Sequence, residues 1–284
     1  MDDSGGFGAP PPPPPPGAGG PSGLPLAPKR PSEIVGSAFT LFGQYWKDLI
    51  GITVIYVAIM VVLTSLIIWL IVGIAGNLTG ARVAGAIGGV ILILFALVMT
   101  GAITRLIASE LAGESVTVSE SVSYGVNHLS QILVIAVLVA VIGLAFNLVG
   151  LTLDDATNSS VLGTLLNLAW FVVSLLLSMA IPSFVVEGVL GTAALERSWR
   201  LVSPFFWHAL GTFALAYLVV IGGAIVAGIF AAGGWVLALV AFFALFLFIL
   251  PFFALVLVQL YINLRVKSGG VTQVSLQEEL RRTA

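Results

Sequence analysis

The sixth apolar run of this chain reads WVLALVAFFALFLFILPFFALVLVQLYI, from Trp235 to Ile262. It contains no Asp, Glu, Lys or Arg, and the basic residues Arg265 and Lys267 follow shortly after it. An apolar run of about 20 residues or more is long enough to cross the hydrocarbon core of a bilayer as one helix. The run therefore predicts a transmembrane helix with positive charge at its C-terminal end.

The whole chain has the composition of a membrane protein. Hydrophobic residues fill 59% of its 284 positions and charged residues only 8%, whereas ordinary soluble domains are about 25% charged. In water such a chain would expose large apolar patches, so lipid must cover them. The net charge of −2 and the lack of a basic patch with interleaved aromatics exclude nucleic acid as a partner. Cysteine is absent, which excludes thiolate metal sites and cysteine nucleophiles.

Five more apolar runs precede this one, and the six together predict a transmembrane bundle. The predicted spans are Leu49–Gly76, Val83–Thr104, Leu129–Leu153, Val161–Val186, Phe205–Phe230 and Trp235–Ile262. The turns after the first, third and fifth spans are short, so we expect three antiparallel hairpins. The predicted fold class is all-α, a polytopic membrane protein. Its six-helix domain covers residues 29–267, between a Pro/Gly-rich tail at 1–28 and a C-terminal tail with a short helix at 268–284.

The basic residues are distributed unevenly between the two sides of these spans. Only Arg82 falls on the outer side when the N-terminal tail is placed inside. The other ten of the eleven fall on the inner side: Lys29, Arg30, Lys47, Arg105, Arg197, Arg200, Arg265, Lys267, Arg281 and Arg282. Because Lys and Arg concentrate in cytoplasmic loops, this split predicts that both termini are cytoplasmic.

A short amphipathic stretch precedes each odd-numbered span. In the first stretch, residues 32–47, apolar residues recur at three- and four-residue spacing, which indicates one face of a helix. In the third, residues 192–202, Leu195, Trp199 and Val202 share such a face. We expect these helices to lie on the cytoplasmic face, with aromatic side chains in the lipid and charges in water.

The middle stretch begins with Thr117-Val118-Ser119-Glu120, a capping-box pattern in which the Thr and Glu side chains satisfy free backbone amides. The same pattern at Ser275-Leu276-Gln277-Glu278 predicts the start of the short C-terminal helix. The first and third stretches align without gaps, with Phe39 opposite Trp199. The middle one aligns through Ser32-Glu33 and Ser119-Glu120. We therefore predict three copies of one unit, an interfacial helix followed by a transmembrane hairpin.

Two neighbouring stretches carry a family resemblance: IPSFVVEG at Ile181–Gly188 and AALERSWRLV at Ala193–Val202. They resemble a signature of functionally uncharacterised bacterial integral-membrane proteins related to the glycerophosphoryl diester phosphodiesterase membrane domain. The segments Arg30–Ile34 and Leu260–Val266 are similar to the same family. The resemblance covers about residues 29–267, the membrane part only, without a phosphodiesterase domain. It implies a multi-pass protein of the bacterial cytoplasmic membrane and no settled activity.

Glu187, Arg197 and Arg200 form the strongest candidate site. Glu187 ends the fourth predicted span, where an unpaired carboxylate is costly, and the two arginines lie on the following predicted helix. One interpretation is that the guanidinium groups bind lipid phosphates, which suits their planar geometry. The other is that Glu187 holds this helix against the bundle through one arginine. Both interpretations hold if each arginine has a different role.

Asn147, Asn167 and Gln259 are the candidate polar contacts inside the bilayer. In a transporter these amides would line a polar cavity near the midplane. In the simpler interpretation they form hydrogen bonds between helices. Gly85 and Gly89 form a GxxxG pattern that permits close helix approach, and the partner helix could come from the same chain or from a second copy in a homo-oligomer.

No catalytic, cofactor-binding or metal site is predicted. His128 and His208 each begin an odd-numbered span, but neither has the partners that a metal site or a catalytic triad requires. The proline run Pro10–Pro16 predicts a disordered, partly polyproline tail. This tail is either a docking site for a proline-recognising protein or a solvated segment.

The leading functional hypothesis is a non-enzymatic membrane protein that organises lipids or partner proteins at the inner leaflet. Two features of the sequence favour it: the amphipathic helices predicted on the cytoplasmic face, and the lack of residue pairs suited to catalysis. The alternative hypothesis is a small permease or channel-like transporter for an apolar or lipid-like solute, which predicts a polar cavity near Asn147 and Asn167.

Overall fold

The computed structural model describes residues 27–75, 99–114, 116–157, 160–269 and 271–283. Within these ranges the chain is helical and has no β-strand, which confirms the all-α class. Four described helical stretches are long and apolar enough to cross a membrane: Leu129–Phe146, Val161–Glu187, Gly191–Ala231 and Trp235–Gly269. These correspond to the third to sixth predicted spans. Residues 1–26 with the proline run, Arg82, Gly85 and Gly89 lie outside the described residues.

The helices are numbered in chain order. They are α1 (Pro31–Ala75), α2 (described from 99 to 112), α3 (Val118–Asn127), α4 (Leu129–Thr157), α5 (Ser160–Leu177), α6 (Ala180–Glu187), α7 (Gly191–Val202), α8 (Phe206–Ala231), α9 (Trp235–Gly269) and α10 (Gln273–Thr283). A short 3-10 helix, Ser203–Phe205, joins α7 to α8. α4 packs along α5, α8 packs along α9, and α1 packs against both α8 and α9.

Two clusters of buried side chains hold these helices together. The larger one contains side chains of every described α-helix except α3 and α4, with Ile34, Ile107, Leu255 and Leu276 fully buried. The smaller one joins α3, α4, α5, α6 and α7 around Ile132. Large apolar side chains elsewhere on α4, α5, α8 and α9 are exposed. Such a surface is suited to lipid contact, because lipid tails are as apolar as these side chains.

The three predicted amphipathic stretches form helices that end in the same kind of kink. Tyr45 (φ −109°, ψ 20°), His128 (φ −101°, ψ 15°) and Phe205 (φ −117°, ψ 26°) share one non-helical backbone conformation. Each lies between an amphipathic helix and a long apolar one. The first part of α1, up to Tyr45, is therefore the structural counterpart of α3 and of α7.

Side chains at equal distances from the three kinks are buried alike. Positions seven residues before, four after and seven after the kink are buried in every copy, with at most 1% exposure. They are Ala38, Ser121 and Ser198; Leu49, Ile132 and Ala209; and Ile52, Ile135 and Thr212. The three segments thus share a local geometry and a common buried face.

The kinks also show that the predicted alignment of the middle unit is wrong. Aligning His128 with Tyr45 shifts this unit by four residues, about one helical turn, from the alignment of Ser32-Glu33 with Ser119-Glu120. The sequence alignment followed the helix cap, because Glu33 and Glu120 each accept a hydrogen bond from the backbone amide three residues earlier. The buried positions of the three units match only when the units are aligned at their kinks.

Candidate functional site at the charged end of the bundle

Contacts between distant segments bring the basic residues to one end of the bundle. The ammonium group of Lys29 donates to the amide oxygen of Gln259 on α9, and Arg281 on α10 pairs with Glu114 after α2. This end, called the charged end below, holds all ten basic residues predicted on the inner side: Lys29, Arg30, Lys47, Arg105, Arg197, Arg200, Arg265, Lys267, Arg281 and Arg282.

Glu187 is the centre of a charge network that joins four helices. Arg197 on α7 donates from Nε to Oε2 at 2.8 Å and from Nη2 to Oε1 at 3.0 Å. On α9, the Tyr261 hydroxyl donates to Glu187, and Nε of Arg265 lies 3.2 Å from Oε1. Arg265 also forms a two-point ion pair with Glu279 on α10. Two carboxylates and two guanidinium groups therefore balance each other's charge where α6, α7, α9 and α10 meet.

The two arginines of the candidate site have different environments. Arg197 turns inward to Glu187, as expected if Glu187 holds α7 against the bundle. Arg200 turns outward: its side chain is 67% exposed, and its nearest carboxylate, Glu196, lies 3.5 Å away and is itself exposed. Beside it Trp199 is 46% exposed, whereas Leu195, which was predicted to share its face, is buried in the bundle. The structure thus brings together Glu187 and Arg197, and leaves Arg200 on the surface.

Ser198 ties α7 to a break in the fourth predicted span. α5 ends at Leu177 and α6 begins at Ala180, because Pro182 lacks the amide that would continue the helix. The buried Ser198 hydroxyl donates to the carbonyl of Leu176 at 2.6 Å and accepts from the amide of Met179 at 3.0 Å. Two backbone groups freed by the break are satisfied in this way. Nothing in the sequence distinguishes this serine from its neighbours.

Asn263 holds the segment that precedes α1. Its Oδ1 accepts from the backbone amide of Lys29 at 2.6 Å, and its Nδ2 donates to the carbonyl of Lys29 at 3.2 Å. The second N–H of Nδ2 faces Nε2 of His208 at 2.8 Å. Gln259, one turn earlier on α9, contacts Lys29 and also accepts from the Ser37 hydroxyl of α1 at 3.4 Å. The buried amides of α9 therefore fix the start of α1.

The other two amides predicted inside the bilayer differ from Gln259. Asn167 is exposed, and its Nδ2 donates to the carbonyl of Gly163 one turn earlier in α5. One N–H of the Asn167 amide is thus satisfied within α5, and no hydrogen bond joins this side chain to another described helix. The side chain of Asn147 lies outside the described residues.

The C-terminal helix α10 is packed into the charged end, with Leu276 and Leu280 fully buried. Gln277 donates to the carbonyl of Ala112 at the end of α2, and Thr283 donates to the carbonyl of Val185 near the end of α6. α10 thus satisfies carbonyls that these two helices leave free at their C-termini.

The predicted cap of α10 is in the wrong place. Thr272 and Ser275 exchange hydrogen bonds of 3.1 Å from the backbone amide of each to the side-chain oxygen of the other. The helix begins at Gln273. The cap therefore comes three residues before the predicted Ser275-Glu278 pattern, because Ser275 serves as the third helical residue and not as the cap.

The two histidines take part in local contacts. His128 places Nδ1 3.0 Å from the carbonyl of Tyr124, and His208 lies between Asn263 and Lys267. Among the residues that the structure describes, no group of three or more His, Asp or Glu side chains is placed to hold a metal ion. Comparisons with protein-family models, with curated proteins and with solved structures find no match for this chain.

Proposed function

We propose that this chain is a multi-pass protein of the bacterial cytoplasmic membrane that binds and organises anionic lipids at the inner leaflet, without catalysis. Six spans would form three hairpins, and both termini would be cytoplasmic. The resemblance to the membrane part of the phosphodiesterase-related family belongs to the same proposal. The observation that carries it is the outward-facing pair of Trp199 and Arg200 at the charged end.

Arg200 has the geometry of a side chain that is free to bind a lipid phosphate. Its contact with Glu196 joins two exposed groups, and such pairs contribute only about 0–1 kcal/mol. Arg197 is already held by Glu187, so the two arginines do not compete for one carboxylate. Trp199 supports the interfacial position, since Trp side chains favour the boundary between headgroups and lipid tails.

A second pair of the same kind follows the kink of α1. Trp46 is exposed, and the ammonium group of Lys47 lies 5.8 Å from the centre of its ring. Trp207 follows the equivalent kink at Phe205 and is also exposed. At the other end of α1, the exposed Trp69 lies about 35 Å from Trp46 along an ideal helix. That separation suits two aromatic belts on either side of a hydrocarbon core about 30 Å thick.

The permease hypothesis has less support. It predicted that Asn147 and Asn167 line a polar cavity, but Asn167 hydrogen-bonds within its own helix. The exposed pair of Trp199 and Arg200 therefore favours the lipid hypothesis over the permease hypothesis.

The test measures lipid selectivity of the full chain in bilayers of phosphatidylcholine and phosphatidylglycerol. Electron paramagnetic resonance of spin-labelled lipids gives the association constant of each lipid relative to the other. Each basic residue near the surface contributes about 1 kcal/mol towards anionic lipid, or roughly fivefold. The measured constant is an average over all lipids that surround the protein, so the observed change is smaller than this. We expect Lys47→Ala with Arg200→Ala to lower the preference for phosphatidylglycerol at least about twofold.

The matched control is Arg30→Ala with Arg282→Ala. It removes the same charge from two exposed residues of the charged end, neither of which is next to a tryptophan in the sequence. We expect this control to retain the wild-type preference. An unchanged preference in the Lys47/Arg200 variant, or an equal loss in the control, would contradict the proposal.

A further inference from the structure

A cavity of about 420 Å³ opens between α2 and α3 at the charged end. Its volume is within the range of small-molecule sites, about 300–1,000 Å³. Most of the side chains around it are polar or ionisable. They are Arg105, Val116, Glu120, Ser123, Tyr124, Asn127 and His128.

Arg105 is the most unusual of these residues because it is buried without a carboxylate partner. Its exposed fraction is 6%, and none of the ion pairs among the described residues includes it. By contrast, Arg265, whose side chain is also largely buried, pairs with two carboxylates. A buried cation is costly unless an anion or several acceptors compensate its charge. Glu114 acts on Arg105 only from beyond ion-pair distance and is itself paired with Arg281. Among the described residues, no carboxylate is therefore in direct contact with Arg105.

The contacts of Arg105 fix its orientation and leave donors for a ligand. Nη1 donates to the carbonyl of Leu280 at 2.8 Å and to the hydroxyl of Thr283 at 3.0 Å, both on α10. The guanidinium carbon lies 5.1 Å from the centre of the Tyr124 ring. Among the described residues, Nε and Nη2 have no protein acceptor. A guanidinium group held from one edge and one face can offer its remaining N–H groups to a phosphate.

α3 lines the cavity with side chains that can complete a phosphate site. Ser123 and Asn127 lie one turn apart, with Nδ2 of Asn127 3.4 Å from the Ser123 hydroxyl. Nδ1 of His128 donates to the carbonyl of Tyr124 at 3.0 Å, which leaves Nε2 to accept from the P–OH of a hydrogen phosphate. The one carboxylate of the lining, Glu120, is held by the backbone amide and the hydroxyl of its own cap at Thr117.

We propose that this cavity binds a phosphate group, anchored by Arg105 and completed by Ser123, Asn127 and His128. The inference rests on the proposed function only in placing the cavity at the inner leaflet. His128 is the kink residue before α4, and Arg105 directly follows the predicted second span, so both lie at the expected depth of lipid headgroups. The phosphate could belong to a lipid or be free in the cytoplasm, and the experiment distinguishes these sources.

The experiment uses the purified full chain in a non-ionic detergent and isothermal titration calorimetry with three probes. These are inorganic phosphate, dioctanoyl phosphatidic acid, and dioctanoylglycerol, which has the same chains without phosphate. Binding of phosphatidic acid alone supports a lipid headgroup as the ligand, and comparable binding of inorganic phosphate supports a free phosphate. If dioctanoylglycerol binds as tightly as phosphatidic acid, or if no probe binds, the proposal is overturned.

Variants connect the binding to the cavity. We expect Arg105→Gln to weaken binding of phosphate or phosphatidic acid at least about tenfold, because charge-assisted hydrogen bonds are lost. If this buried variant does not fold, Ser123→Ala with Asn127→Ala replaces it, since Ser123 and Asn127 are exposed. The expected loss is then about fivefold. Ser119→Ala is the matched control, because this serine lies on α3 but does not line the cavity, and it should bind as wild type does.

Unchanged binding in the variants that fold would overturn the proposal. The two proposals can fail separately. Loss of phosphatidylglycerol preference on changing Lys47 and Arg200, with no probe bound at the cavity, supports the proposed function and overturns this inference. If phosphate binding depends on Arg105 but changing Lys47 and Arg200 leaves the lipid preference unaltered, this inference is supported and the proposed function is overturned.

Discussion

Replacing Glu187 by Gln tests whether the charge network holds the charged end together. The substitution keeps the size of the side chain but removes the charge that faces Arg197 and Arg265. The carboxylate is only 14% exposed, and removing one partner of a buried ion pair costs about 3–5 kcal/mol. Arg197 is 34% exposed, so solvent screens part of its charge. We therefore expect a loss of about 2–4 kcal/mol in the free energy of unfolding.

The assay is thermal unfolding of the purified chain in detergent, followed by circular dichroism. At the typical unfolding entropy per residue, a loss of this size lowers Tm by about 3–7 °C in a chain of 284 residues. The control is Glu196→Gln, the same chemical change on the neighbouring helix. Glu196 is exposed and lies 3.5 Å from Arg200, so its effect should stay below about 1 kcal/mol. If Glu187→Gln unfolds within 1–2 °C of wild type, about the spread expected for a surface substitution, the network does not hold the helices.

Three further predictions concern contacts of single side chains. Ser198→Ala should destabilise the chain by about 1–3 kcal/mol in the same assay, because two buried backbone groups at the α5–α6 break lose their partner; a Tm equal to wild type would exclude this role. Asn263→Leu should release the segment before α1, so that trypsin cleaves after Lys29 faster than in wild type, and equal cleavage rates would refute the prediction. The amide and hydroxyl of Thr117 hold the pKa of Glu120 below its usual value. The stabilisation of α3 by this cap is therefore fully present above the pKa that Glu120 has in the unfolded chain, and it is lost as pH falls through the pKa of Glu120 in the folded chain. Thr117→Ala should therefore raise that pKa, as measured by NMR titration, and no rise would contradict the assignment.

The helices themselves could be predicted because their signals are local. Apolar runs of sufficient length and three- or four-residue spacing lie within single segments, and the structure has helices at the parts of these runs that it describes. The capping pattern at Thr117 is also correct as predicted. At Ser275 the same pattern was misleading, because Thr272 offers an equivalent cap three residues earlier. Local patterns therefore predict that a helix is present, but they do not decide which of two neighbouring residues forms its cap.

The partners of the charged residues could not be predicted in the same way. Arg197 and Arg200 are three residues apart and have the same chemistry, so the sequence left both as partners of Glu187. The rotation of α7 decides between them: Ala194, Ser198 and Leu201 face the bundle, which turns Arg197 towards Glu187 and Arg200 outward. The ion pair of Arg265 with Glu279 requires α10 to fold back onto α9, and no local pattern encodes that contact.

By itself, the sequence determined that this chain is helical and apolar enough for a membrane, and that ten of its eleven basic residues fall on one side of the predicted spans. These properties follow from composition and from short-range periodicity, which are independent of how helices pack. Only the tertiary structure decided which charges are paired, which arginine is left on the surface, and that Arg105 is buried beside a polar cavity. Those outcomes depend on contacts between segments distant in the chain, such as α10 with α2 and α7 with α6, where packing selects one partner among chemically equal residues.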